Sequence, residues 1–249
     1  MTYDVITRAR RTTRRRVTAF CVAAAAVACA VAAAAVSGTG PNGPATSPLG
    51  PVVQVRPETT ADGPAVLPND LAWVDVAGVS VPVSTLSGPR ISGEGLARGF
   101  TRERGGAVLA AVHIVVRVNP HVGPGVFEPT LRTQVVGADA AVMRVQVAQA
   151  YDELRGQAGV ADGQPVGRLN ATLLGYRIVS YTDDETVLRL LTEAPDGSGS
   201  ALMVSTEVRV RWTGSDWALL APAGGTFDQA VTVVLDPYVA MFLPFSAGG

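Results

Sequence analysis

The stretch Leu202-Met203-Val204-Ser205-Thr206-Glu207-Val208-Arg209-Val210-Arg211-Trp212 decides the fold. Leu202, Val204, Thr206, Val208, Val210 and Trp212 alternate with Met203, Ser205, Glu207, Arg209 and Arg211. Successive side chains of a strand point to opposite faces, so the first set is expected to face a core and the second solvent. Downstream, residues 213–216 form a turn into a last strand carrying Trp217 and Leu219. Upstream, the same period of two runs through residues 171–182 and 186–193. The acidic pair Asp183-Asp184 joins these two strands, and a second turn falls at 195–199. The four segments make an antiparallel meander.

Before residue 160 the pattern changes. Met143, Val147, Tyr151 and Leu154 lie on one stripe of a helix expected over residues 138–155. A shorter helix is expected around 128–135, after the breakers Pro120, Gly123, Pro124 and Gly125. The run 107–118 is apolar at nearly every position except His113 and Arg117. Periodicity does not decide between strand and helix there; the cluster Ala107-Val108-Leu109-Ala110-Ala111 favours a buried helix. Earlier still, Trp73, Val74 and Val76, then Val79, Val81 and Val83 around Gly78, read as two short strands and a tight turn. Helices first and a meander after them imply an α+β domain, with the helices packed on a curved antiparallel sheet. Its expected limits are 69–245.

The segment before this domain has a different chemistry. Residues 17–36 contain no charge, and eleven of the twenty are Ala. As a helix they extend for about 30 Å, the thickness of a bilayer's hydrocarbon core. Six Arg and one acid precede them in residues 1–16, whereas 14 Arg face 20 acids after residue 36. The basic tail is therefore expected in the cytoplasm, residues 17–36 across the cell membrane in a single pass, and the C-terminal domain outside. Ala33, Ala35 and Ser37 also offer small residues to a signal peptidase, but an apolar run of twenty is long for a cleaved signal. Residues 37–68 hold seven Pro and five Gly, the composition of a tether. Gly38, Gly40 and Gly43 match a dinucleotide-binding spacing, but they lack the preceding strand and Pro41 interrupts them.

Chemistry-bearing motifs are scarce. Cys21 and Cys29 both fall in the apolar run, leaving the outer domain without a thiol. His113 and His121 have no third ligand at metal-binding spacing. His113 reads as a core histidine and His121 as a loop residue. Neither a nucleophile elbow nor a phosphate-binding loop is present. Asp183, Asp184 and Glu185 read as a solvated turn rather than a cation site. No basic stripe interleaved with aromatics suggests nucleic acid. No cofactor and no metal are expected, and the outer domain is read as not an enzyme. Glu207, Arg209 and Arg211 remain, either as a cross-strand charge ladder or as part of a docking face.

Residues 73–89, then Ala97, Gly99, Phe100, the run 106–111, Gly175-Tyr176, and the hairpin from Val210-Arg211-Trp212 to Asp216-Trp217 carry a resemblance. They resemble an uncharacterised actinobacterial family of membrane-anchored or exported proteins, over roughly residues 70–245. In topology, though not in residues, helices before a meander are similar to the nuclear-transport-factor-2-like fold. Inner-membrane assembly-factor subunits of type IV secretion and conjugation systems carry such an outer domain. The resemblance implies an interaction module of a transfer apparatus, with the bilayer and other envelope proteins, or a second copy, as partners. It also implies an alternative: a small-ligand or enzymatic pocket at the wide end of the cone, within reach of Tyr151, Tyr176 or Tyr181.

Overall fold

The computed structural model describes residues 67–195 and 201–245. The basic tail, the apolar run, all of the tether up to residue 66 and part of the turn at 195–199 lie outside the described residues. Among the described residues no helix is long and apolar enough to cross a membrane.

The chain enters through two hairpins. β1 (Ala72–Val76) pairs with β2 (Val79–Val83) across Ala77 and Gly78, both at positive φ. β3 (Ile91–Gly93) pairs with β4 (Leu96–Arg98) across Glu94 and Gly95, again both at positive φ. Two consecutive positive φ values make the tight turn whose twist matches that of paired strands. The second hairpin was not expected from the sequence. Asp70 holds the loop after the first: its carboxylate accepts bonds from Ser84 Oγ, Thr85 Oγ1 and the amides of Thr85 and Leu86. The Ser84 and Thr85 hydroxyls pull its pKa down to about 2. Leu67, two residues ahead of the expected boundary at 69, is also buried in the core.

α1 (Arg104–Arg117) is the central helix, buried at every position from Gly106 to Arg117. It packs against β2, β4, the second helix and three strands of the main sheet. That environment explains its missing periodicity, because a helix enclosed on all sides has no polar face to alternate with. Gly106 is required at its start: a Cβ there would lie 2.0 Å from the carbonyl oxygen of Thr101.

α2 (Pro124–Thr133) begins four residues before the expected position, because Pro124 and Gly125 open the helix instead of breaking it. Proline fits the first turn, where an amide hydrogen would have no helical acceptor. α3 (Ala140–Ala158) buries Met143, Val147 and Tyr151 as its stripe requires, and ends on Gly159 in the left-handed conformation. It packs on α2, on the turn Pro120–Val122 and on the Ala223–Gly225 turn, so α1 is the helix that lies directly on the main sheet.

β6 (Thr172–Tyr181), β7 (Glu185–Pro195), β8 (Ala201–Trp212) and β9 (Trp217–Leu220) form the expected antiparallel meander. Among the described residues the sheet has seven strands. β5 (Val135–Val136) adds to β9 in parallel, β10 (Val231–Val233) pairs β8, and β11 (Leu243–Pro244) pairs β6. The expectation of a purely antiparallel sheet is thus corrected at one edge, where the two residues between α2 and α3 run beside β9. A short helix, α4 (Asp236–Val239), precedes β11. The result is a mixed α+β domain with helices packed against a sheet.

Candidate functional site: the solvent face of the sheet

Alternation along β8 holds from Thr206 to Trp212. Val204, Val208 and Val210 are buried and Trp212 half-buried, while Arg209 and Arg211 are exposed. Ser205, expected outward among solvent, is instead buried. The reason is local. Ser205 lies opposite Leu191, and Leu191 opposite Gly175, where a Cβ would meet Leu243 and Phe242 of the chain's last segment. The outer face is covered at that end and open at the other.

The open end carries the charges. Register places Arg211 opposite Glu185, Arg209 opposite Val187, Glu207 opposite Arg189, and Arg189 opposite Arg177. Arg211 donates from Nη2 and Nε to the same oxygen, Glu185 Oε2, at 2.8 and 3.2 Å. Glu207 serves two guanidinium groups: Arg209 Nη2 at 3.2 Å on one oxygen and Arg189 Nη2 at 3.5 Å on the other. Arg177 has no ion-pair partner among the described residues. The charge ladder expected from the sequence is therefore present, with more cation than its carboxylates balance at short range.

Arg189, Glu207, Arg209 and Arg211 also line one side of an open groove of about 670 Å³. Residues 220–230, which leave the sheet between β9 and β10, supply the opposite wall with Leu220, Pro222 and Phe227. That excursion is held in place by Gly225, whose close approach to the backbone of Met143 in α3 leaves no room for a Cβ. Gly137, Ala138 and Asp139 close one end, just ahead of α3, whose first turn has no side-chain cap. The sequence singled out Glu207, Arg209 and Arg211. It missed Arg189, although Arg189 lies in the same alternation on β7, and it offered no signal for the wall.

The other candidates are dispersed. His113 is fully buried on α1; its Nε2 donates to the carbonyl of Pro82 at 2.8 Å, and Arg117 Nη1 donates to its Nδ1 at 2.7 Å. Burial, and then the Arg117 charge, push its pKa down to about 3, so the ring is neutral. It pins β2 onto the helix. Arg117 is itself buried, and desolvation lowers its pKa to about 10. His121 Nδ1 lies 3.0 Å from Asn119 Oδ1, in the loop where it was expected. Among the described residues no group of three or more His, Cys, Asp or Glu could hold a metal ion.

Tyr151 donates to the Gln164 carbonyl and stacks obliquely on Phe127. Tyr176 packs on Phe245, and Tyr181 donates to Asp183 beneath Arg104. None of the three lines the groove. Arg102 bonds both the Asp183 carbonyl and the Asp184 carboxylate, and Glu185 is taken by Arg211, so each residue of the acidic turn is engaged. A further residue went unread: Asp216, whose carboxylate accepts from the amides of Gly99 at 2.7 Å, Phe100 at 3.2 Å and Trp217 at 2.9 Å. It ties the second hairpin's exit to the sheet.

Residues 25–240 match the family described as Domain of unknown function (DUF8175), and since the match spans most of the chain, the chain belongs to that family. No curated protein matches it. No solved structure matches it either.

Proposed function

We propose that this member of the DUF8175 family is a single-pass, membrane-anchored interaction module whose extracytoplasmic domain docks a partner through the groove on the solvent face of its sheet. The observation that carries the reading is that groove, rimmed by Arg189, Glu207, Arg209 and Arg211 on a rigid β7–β8 pair. Rigid strands are the part of a domain best suited to hold charged groups in fixed register for recognition. The uncharged run 17–36 behind six Arg supports the anchor, and the Pro-rich residues that follow supply reach. Helices ahead of a meander agree with a nuclear-transport-factor-2-like domain, and on that topological analogy the module serves as an accessory subunit of a conjugative or secretion apparatus. The engagement of Tyr151, Tyr176 and Tyr181 in packing and local hydrogen bonds weighs against the pocket alternative.

Two measurements test the reading. Fractionation of cells carrying a C-terminal epitope should place the whole protein in the membrane, and a soluble secreted species starting near residue 37 would sink the anchor. Native gel electrophoresis of detergent extracts should show a complex that Arg209→Glu/Arg211→Glu disrupts. An unchanged complex in that double variant removes the docking role of this face.

A further inference from the structure

Resting on the docking reading, we infer that the groove's occupant is an extended acidic segment of a partner protein, its carboxylates at alternate positions bonded to Arg189, Arg209 and Arg211. The first argument is charge. The groove lining holds three guanidinium groups against Glu207 and Asp139, and Glu185, outside the lining, engages Arg211 through Nε and Nη2 only, leaving its Nη1 for an incoming carboxylate. Glu207 divides itself between Arg189 and Arg209 at 3.5 and 3.2 Å, longer than the roughly 2.7–2.9 Å of a well-formed charged hydrogen bond. Arg177 stands directly across from Arg189, a like-charged pair that disfavours the bare sheet. An incoming carboxylate relieves that repulsion and takes up guanidinium donors that Glu207 serves poorly.

The second argument is spacing. Arg209 and Arg211 are two residues apart on one face of a strand, so they lie about 7 Å apart along it. An extended peptide repeats its side chains on one face at the same interval, which a pattern of acidic, small apolar, acidic residues satisfies. The third is the opposite wall, where the half-buried Leu220 and Pro222 offer apolar surface to the residues between the acids. At the groove's end the uncapped first turn of α3 adds a partial positive charge of the same sign as the arginines. Beyond residue 36 the chain carries 20 acids to 14 Arg, a net negative charge that disfavours nucleic acid as the occupant.

The test uses the full chain in detergent and fluorescently labelled peptides of alternating Glu and Val, with alternating Gln and Val as the control. Fluorescence anisotropy should show the Glu peptide binding at least about tenfold tighter than the Gln peptide at low salt, with the difference shrinking as salt rises. Arg209→Gln/Arg211→Gln should remove the preference, and Arg155→Gln on α3 should retain it. Circular dichroism melting confirms that each variant is folded. Equal affinity for the two peptides, or a preference that survives loss of both arginines, overturns the acidic occupant. Binding of single-stranded DNA as tight as that of the Glu peptide overturns it in favour of a general polyanion site. If the native complex is lost in Arg209→Glu/Arg211→Glu while the peptides are not distinguished, the docking reading stands and the acidic segment is rejected. If the complex is unchanged, the docking reading fails whatever the peptides do.

Discussion

Two side chains that look alike in the sequence, as polar interruptions of an apolar run, turn out to be one device. His113 and Arg117 stand one helical turn apart on α1, and the neutral imidazole accepts from the guanidinium while donating to Pro82. The sequence reading of His113 as a core histidine with a backbone hydrogen bond agrees with this arrangement, but its bond to Arg117 was not visible, because spacing alone does not tell which donors a buried ring will meet. The arrangement makes stability depend on pH in a direction that can be worked out. An unfolded histidine binds a proton near pH 6.5, whereas the folded one does so only near 3. Between those values the unfolded state takes up the proton first, so stability is complete above about 6.5 and falls as pH drops toward 3. His113→Gln keeps a donor and an acceptor without a titrating group. Urea midpoints measured from pH 7.5 down to 4 should fall clearly for the parent and less steeply for the variant; parallel slopes would contradict the neutral buried ring. Asp216 anchors the backbone in a similar way, between the second hairpin's exit and the start of β9. Its carboxylate serves three backbone amides, and Asp216→Ala should cost about 2–4 kcal/mol in denaturant midpoint because those donors lose a charged acceptor. A loss below about 0.5 kcal/mol would show that water replaces it freely.

Legibility at the scale of elements followed periodicity. The meander was readable because half-buried strands alternate, and α3 was readable because one face of it is wet. Short paired pieces were not: β3, β5, β10 and β11 have two or three residues each, too few for a period, and β5, β10 and β11 pair with strands distant in sequence. Ser205 shows the same limit within the best strand, since coverage of the outer face by the chain's last segment leaves no trace in the strand's own pattern. The two faces of β8 make a direct prediction. Val208 is buried against Leu188 in register and Arg209 is exposed. Val208→Asp places an unpaired charge in the core and should cost about 3–5 kcal/mol, a large part of a domain's stability. Arg209→Glu should shift the melting temperature little, because exposed ion pairs contribute at most about 1 kcal/mol. Thermal melts of the two variants side by side check this, and equal melting temperatures would refute the strand's facing.

At the scale of the whole molecule, the proposed function divides the chain into a basic tail and an apolar run for the bilayer and a tether for reach, ahead of the α+β domain whose sheet turns a charged face to solvent. The first three are expectations from composition over residues 1–68. The groove was read only in part. Glu207, Arg209 and Arg211 follow from alternation on one strand, but the wall at 220–230 and the contribution of Arg189 arise where the chain leaves the sheet and where β7 comes into register. The central claim is that this face receives a partner while the domain stays at the membrane. Photocrosslinking in cells tests it most directly, with a photoreactive residue placed in turn at the exposed groove positions Ala223, Gln229 and Thr232, which leave the arginines in place, and at Arg155 and Asp152 on α3. The account predicts a single adduct with one membrane-associated protein from the groove positions and none from α3. Equal adducts from both faces, or none from the groove, would contradict it.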